Sequence, residues 1–404
     1  MPVYTYTARD IDGALAVGST AGANEGTVRR ELREGGLFVI ALDEQVEREA
    51  FGDRLARLRR VKLGDLVVFS QQLAAMIGAG IPVIECLYDL VEETESPVLR
   101  RALQQVVRDV QAGSTFSQAL ARHPHVFSDL IIALVHAGEV GGVLEHTLQR
   151  LADDLDKEQE LREKVKSAFV YPAVVIAVAV GVVSFMLIYI IPVFEKVYGQ
   201  FKSQLPAPTR MLIAFSNLTT HYWYLVLLAL AGTVLATRTF VRTERGRAGW
   251  DRLKLRLPVF GKLIRKIIIT RFTRTLAVLV GAGVPLLQAL QTAAGVGNNV
   301  EFRAVVSKIA KEVVEGSSLS APVRASGAFP NVVPRLIQVG EDSGDLEAML
   351  LKIAHFYERE VEYSVRRLTA LMEPVLTLVI GAVVGMIVIA LYMPIFTLAT
   401  VIRR

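Results

Sequence analysis

Four of the six histidines in this chain fall within one stretch: His123, His125, His136 and His146. Imidazoles bind transition metals, but a ligand set needs ordered spacing, and these four have none. The chain repeats itself, and the counterparts in the second copy include Gly327, Gln338 and Ala348. No metal site is expected. Cys86 is the only cysteine, so no intramolecular disulfide can form. It sits on an apolar helical stretch, which points to a small core residue rather than a reactive thiol. Gly78-Ala-Gly80 and Gly281-Ala-Gly283 could suggest a phosphate cradle. They follow amphipathic helices, not strands, so a helix break is the better reading. The sequence contains no GxxxxGK[ST], HExxH or CxxC motif. With no recurring set of titratable groups either, no enzymatic activity and no cofactor are expected.

The carboxylates carry more information. Glu139 and Glu341 occupy equivalent places in two Gly-Glu turns, and Glu145 and Glu347 follow at equivalent places just beyond. A glutamate near a helix start caps the chain and complements the helix dipole. The same positions could instead present a contact surface to a partner or to a second copy. Both readings stay open.

These turns belong to a duplication. Phe69–Leu87 (FSQQLAAMIGAGIPVIECL) aligns with Phe272–Leu290 (FTRTLAVLVGAGVPLLQAL) at a constant offset. The match resumes at Gly113-Ser-Thr-Phe-Ser against Gly316-Ser-Ser-Leu-Ser, and again at Gly138-Glu-Val-Gly-Gly-Val-Leu-Glu against Gly340-Glu-Asp-Ser-Gly-Asp-Leu-Glu. A period this long indicates a duplicated domain rather than a solenoid.

The elements that position these residues follow from the charge pattern. No Asp, Glu, Lys or Arg occurs between Lys166 and Glu195, between Arg210 and Arg238, or between Glu373 and Arg403. Each gap exceeds the roughly 20 apolar residues that cross a bilayer. Three spans are expected, at 171–194, 211–237 and 374–402. Pro172 and Pro374 align at the start of spans one and three, and Pro192-Val-Phe194 aligns with Pro394-Ile-Phe396 at their ends. Two parallel units can be joined only if the chain returns between them, and the unmatched span two is that return. Twelve Lys and Arg residues lie between Arg238 and Arg274, against three in the 195–210 loop. The large regions are therefore expected on the cytoplasmic side, with the loop and the C-terminus outward. The net charge of +5 is mainly this topology signal; no basic-aromatic stripe points to nucleic acid.

The expected architecture is an all-α membrane protein with two repeated cytoplasmic bundles of about six helices each, at 63–170 and 265–373. Helices are expected over 63–78, 97–112 and 116–122, with a turn at Gly138–Gly142 before a charged helix that runs into span one. A charged linker at 43–62 and a basic linker at 238–264 connect the parts. Residues 1–42 are expected to form a ββαβ appendage, with a hairpin turn at Asp10–Gly13, a helix at 24–34 and a strand at 38–41. Met1–Asp10 does not read as a secretory signal. His221 is the one ionisable group inside the spans, and unbroken apolar spans argue against a parallel-repeat transporter, the remote alternative. Gly381 and Gly385 form a small-xxx-small pair that suits either dimerisation or packing within the chain.

The duplicated F-x-x-x-L-A-x-x-x-G-A-G-[IV]-P block, the Gly-Glu turns and the Leu205-Pro-Ala-Pro-Thr209 loop resemble the type II secretion F / PilC family. The likeness extends to Tyr4-Thr-Tyr-Thr-Ala8-Arg-Asp and the Gly13 turn, and departs at Pro334-Arg335, where the first copy has Ile132-Ala133. The resemblance implies a non-enzymatic inner-membrane platform protein. It implies partners as well: a cytoplasmic assembly ATPase, pilins or pseudopilins, other inner-membrane assembly proteins, the lipid bilayer and further copies of the chain. A type IV pilus, a secretion pseudopilus and a competence pseudopilus are all compatible with it, with the motifs tilted toward the pilus.

Overall fold

The computed structural model describes the backbone of residues 3–9, 15–21, 38–44, 61–193, 207–258, 260–297 and 299–401. The chain divides into two compact units, Met1–Arg60 and Val61–Arg404, each described here by itself.

In the smaller unit three strands, β1 (Val3–Arg9), β2 (Leu15–Ala21) and β3 (Phe38–Glu44), form one sheet in the order β2-β1-β3. Both neighbours run antiparallel to β1, in register Val3↔Ala21 and Tyr4↔Glu44, with an irregularity between Thr7 and Ala8 on the β3 side. The β-branched and aromatic run Val3-Tyr-Thr-Tyr-Thr7 suits a central strand. The helix expected at 24–34, the turn at Asp10–Gly13 and most of the 43–62 linker lie outside the described residues.

The larger unit is helical. In its first half α1 (Leu63–Gly78), α2 (Val83–Glu93), α3 (Pro97–Gln111), α4 (Phe116–Ala121), α5 (Asp129–Gly141) and α6 (Leu144–Ala168) follow one another. Proline starts α3 at its first position, where a missing N–H costs nothing. Gly80 and Gly142 take left-handed backbone where helices end, which only glycine does without strain. Then α7 (Val170–Phe185) continues from α6 after a break at Phe169, and a wide helical turn, Met186–Ile190, follows. Pro172 offers no N–H to residue 168 and its ring crowds that carbonyl. Next comes α8 (Ala207–Arg242), kinked at Tyr222. The second half comprises α9 (Glu244–Arg256), α10 (Phe260–Gly281), α11 (Leu286–Val296), α12 (Val300–Val314), α13 (Ser320–Ala325), α14 (Val332–Ser343) and α15 (Leu346–Val401).

Two expectations need correction. The Gly138–Gly142 segment is not a turn throughout, because α5 continues to Gly141. Gly138 is there for closeness: a Cβ on it would lie 2.1 Å from Thr147 Oγ1 of α6. The basic 238–264 segment has regular structure. It is helical through the end of α8, α9 and the start of α10, as its Arg, Lys and Leu content favours. The apolar segments are not unbroken either, given the kink at Tyr222 and the wide turn after α7. No proline or glycine sits beside Tyr222 to explain its kink. The two irregularities are not counterparts in the repeat, since α15 is regular where α7 widens.

One apolar cluster holds the two halves together. It runs from Val67 and Leu73 through Leu134 and Leu151 into Phe272, Leu290 and Ile353. Among the described residues two helices are long and apolar enough to cross a membrane, Leu144–Val193 and Leu346–Met393, with mean hydropathies of 2.9 and 2.7 in their most apolar windows. Only 11% and 17% of those windows are buried. A soluble core helix would be buried, so these faces are built for lipid or for other apolar helices. Near their far ends Leu187, Ile191, Ile213, Ile387 and Leu391 pack together and tie α8 to both. Thr209 Oγ1 donates to the Ala390 carbonyl at 2.5 Å and Ser216 Oγ to the Leu187 carbonyl at 2.5 Å. Side-chain hydroxyls of this kind bind helices together where water is scarce.

Candidate functional site: the glutamate turns and the junction between halves

The Gly-Glu turns can be read atom by atom. Glu139, on α5, accepts the Phe116 amide at 2.6 Å on Oε1 and the Ser117 amide at 3.0 Å on Oε2. These are orphan N–H groups at the start of α4. Glu341, on α14, does the same for α13, taking the Leu319 amide on one oxygen and the Ser320 amide at 3.1 Å on the other. Each glutamate is therefore a cap supplied from a later helix, with its charge set against a helix N-terminus. The carboxylates are turned inward onto backbone.

Glu145 and Glu347 lie in the first turns of α6 and α15. Each comes against the first glycine of a Gly-Ala-Gly element. A Cβ on Gly78 would lie 3.4 Å from Glu145 Oε1, and one on Gly281 would lie 2.2 Å from Glu347 Cδ. The elements therefore have two uses. Gly80 and Gly283 take left-handed backbone, while Gly78 and Gly281 make room for a glutamate. Here the halves part company. Glu347 also receives Arg150 Nη1 of α6 at 2.6 Å, so it joins the second half to the first.

That ion pair opens a ladder of charges along α6 where it packs on α10 and α15. Glu158 faces Arg271 at 3.7 Å and Arg162 of its own helix at 2.5 Å. Lys164 reaches Glu362 at 4.0 Å. Arg274 of α10 pairs with Glu358 of α15. In the middle stands Asp154, only 4% exposed, with Oδ1 lacking any hydrogen-bond partner. Burial pushes its pKa up to about 7; Arg274 opposes the rise, and Glu158 and Glu358 add to it. Burial likewise draws Arg271 below the usual guanidinium value. The void beside them is about 10 Å³, room for a single water at most. Sequence reasoning passed over Asp154 as one charge among several on a charged helix. The missed signal is its phase: it lies on the stripe of Leu148, Leu151, Leu155 and Leu161, the buried face of α6.

The remaining candidates are simply placed. His123 and His125 meet edge to face at 5.8 Å, His136 Nδ1 lies 3.4 Å from Ser117 Oγ, and His146 Nε2 accepts from Arg150. Among the described residues no three His, Cys, Asp or Glu side chains are grouped to hold a metal. Cys86 is fully buried, and burial raises its thiol pKa. Gly381 and Gly385 have nothing within 4 Å of an added Cβ, so no other helix of the described chain packs against them.

Comparison with known proteins places this architecture. The family model described as type II secretion system protein F matches twice, over residues 69–192 and 272–394, and the N-terminal domain of the same family matches residues 1–43. A type IV pilus assembly protein PilC of Thermus thermophilus is 41% identical over 98% of this chain and 98% of its own. The type IV pilus assembly protein PilC of Myxococcus xanthus is 41% identical over 84% of this chain and 81% of its own. The type II secretion system protein F of Vibrio cholerae is 33% identical over the full length of both chains. The two family matches each enclose one Gly-Ala-Gly element, one inward-turned glutamate cap and one lipid-ready helix, and the chain belongs to the type II secretion system protein F family.

Proposed function

We propose that this chain is a non-enzymatic inner-membrane platform for type IV pilus assembly. In this reading it crosses the bilayer three times, at 171–194, 211–237 and 374–402, with both helical modules in the cytoplasm and the C-terminus outward. The modules receive conformational work from a cytoplasmic assembly ATPase, and the spans pass it to pilins entering or leaving the membrane. The observation that carries the reading is the end-to-end likeness to PilC proteins together with two long apolar helices that grow directly out of the modules. The 56 residues of α15 begin beside the junction at Glu347 and extend about 84 Å at 1.5 Å per residue, long enough to link junction and bilayer in one rod.

A secretion pseudopilus platform is the second reading, favoured by the matches to type II secretion system protein F. The open face at Gly381 and Gly385 suits a homo-oligomer built through span three. Deleting the gene and scoring surface fibres against secreted proteins separates the two systems; intact fibres with intact secretion would defeat both. Single-cysteine labelling in a Cys86→Ala background tests the topology. Reagents that cannot cross the membrane should reach neither module, and labelling of one module alone would overturn it.

A further inference from the structure

The two copies differ in one groove, and the difference is chemical. In the first copy the side chains of α2 and α3 close over it: the Gln111 amide donates to the Tyr88 hydroxyl. Its cations are engaged as well. Arg100 Nε donates to the Thr94 carbonyl at 2.9 Å, and Arg108 Nη2 to Gln105 Oε1 at 2.7 Å. In the second copy the same offset puts Gln291 where Tyr88 stands and Val314 where Gln111 stands. That pair cannot close, and a groove of about 280 Å³ lies open between α11 and α12. Leu290, Ala294, Val306 and Ala310 form its floor, and Val314 is 64% exposed at its end. Arg303 and Lys311, the counterparts of Arg100 and Arg108, are its only charged lining residues. Neither side chain makes a hydrogen bond or ion pair among the described residues.

We infer that this groove on the second module docks an acidic amphipathic helix of a cytoplasmic protein. Three features fix the occupant. The volume is below the roughly 300–1,000 Å³ typical of small-molecule sites, so it suits a few aliphatic side chains of one helix face. Both rim charges are positive, which selects carboxylates and rejects a basic segment. Arg303 and Lys311 stand eight residues apart on α12, about 12 Å along its axis. The matching ligand is a helix with two acidic residues two turns apart and leucine-like side chains on the same face between them. The inference rests on that reading only for the cytoplasmic side of the module, and its failure would leave the fibre and topology tests untouched.

The test uses the full-length protein in detergent micelles and a fluorescent stapled helix carrying two Glu residues two turns apart with Leu between them. The control peptide has Lys in place of both Glu. Anisotropy should show the acidic peptide binding at least roughly tenfold more tightly than the basic one. The double variant Gln291→Tyr, Val314→Gln, which installs the closing pair of the first copy at exposed positions, should abolish binding. Arg303→Glu with Lys311→Glu should reverse the preference between peptides. Equal binding of the two peptides, no binding of either, or binding unaffected by the closing variant would each overturn the proposal. A closing variant that shrinks the purified oligomer would overturn it too, by making the occupant a second copy.

Discussion

Asp154→Asn should stabilise the protein, and more so as pH rises. Asp154 is 4% exposed and titrates near 7 in the fold, against roughly 3.9 for a free aspartate. Folding therefore holds a proton on a group that releases it readily when unfolded. A raised carboxylate pKa leaves stability intact below the unfolded value and removes it as pH climbs toward the folded one. At 1.36 kcal/mol per pH unit the native state loses about 1.5 kcal/mol by pH 5 and about 4 kcal/mol by pH 8. Asparagine keeps the shape and has no proton to lose. The advantage of the variant should thus widen by about 2.5 kcal/mol between pH 5 and pH 8, which is several degrees in melting temperature for a unit of this size. Thermal unfolding of wild type and variant in one detergent at the two pH values measures it. Solvent-exposed carboxylates titrate identically in both proteins and cancel in the difference. A gap that stays constant between pH 5 and pH 8, or a variant less stable at pH 8, would refute the reasoning.

The other predictions rest on separate contacts. Glu341→Ala strands the Leu319 and Ser320 amides, costs about 1.5–3 kcal/mol, and should show first as faster hydrogen exchange across α13; Glu139→Ala should do the same for α4. Gly281→Ala puts a methyl 2.1 Å from Arg150 Nη1 and should break the Arg150–Glu347 pair, whereas Gly78→Ala meets Glu145 at an ordinary 3.4 Å. The melting temperature should therefore fall for the first variant and stay level for the second, and equal effects would show that the two seats are equivalent. Gly381→Leu with Gly385→Leu meets open space within the chain, so stability should hold while oligomer size in detergent decreases; unchanged size would remove span three from the interface.

Much of this was legible in the sequence because it was written as period or as absence. The charge-free gaps marked apolar helices before any contact was known, and the duplicated Gly-Glu turns pointed to Glu139 and Glu341. What those glutamates do was not legible. Their amide partners stand 21 to 23 residues upstream, a separation that no helical or strand period encodes. The Gly-Ala-Gly elements were only half legible: the left-handed third glycine reads as a helix end, but the first is needed for a side chain from another helix. Asp154 was hidden by its neighbours, since Asp153 and Asp156 belong to a solvated face and only the phase against Leu151 and Leu155 sets it apart. The kink at Tyr222 has no local cause in the sequence.

The two halves share a fold and divide the labour at the junction. Glu145 and Glu347 occupy the same place on the same kind of helix, yet only Glu347 binds across to the other half, through Arg150. The helices that leave the junction differ in the same unequal way. The first is interrupted at Phe169 ahead of Pro172, whereas α15 runs through Pro374 without a break. A proline at matching places in both helices does not by itself enforce this difference, because only one of them is interrupted. The helix that carries the bridging glutamate is thus also the one that runs without interruption from the junction into its apolar segment.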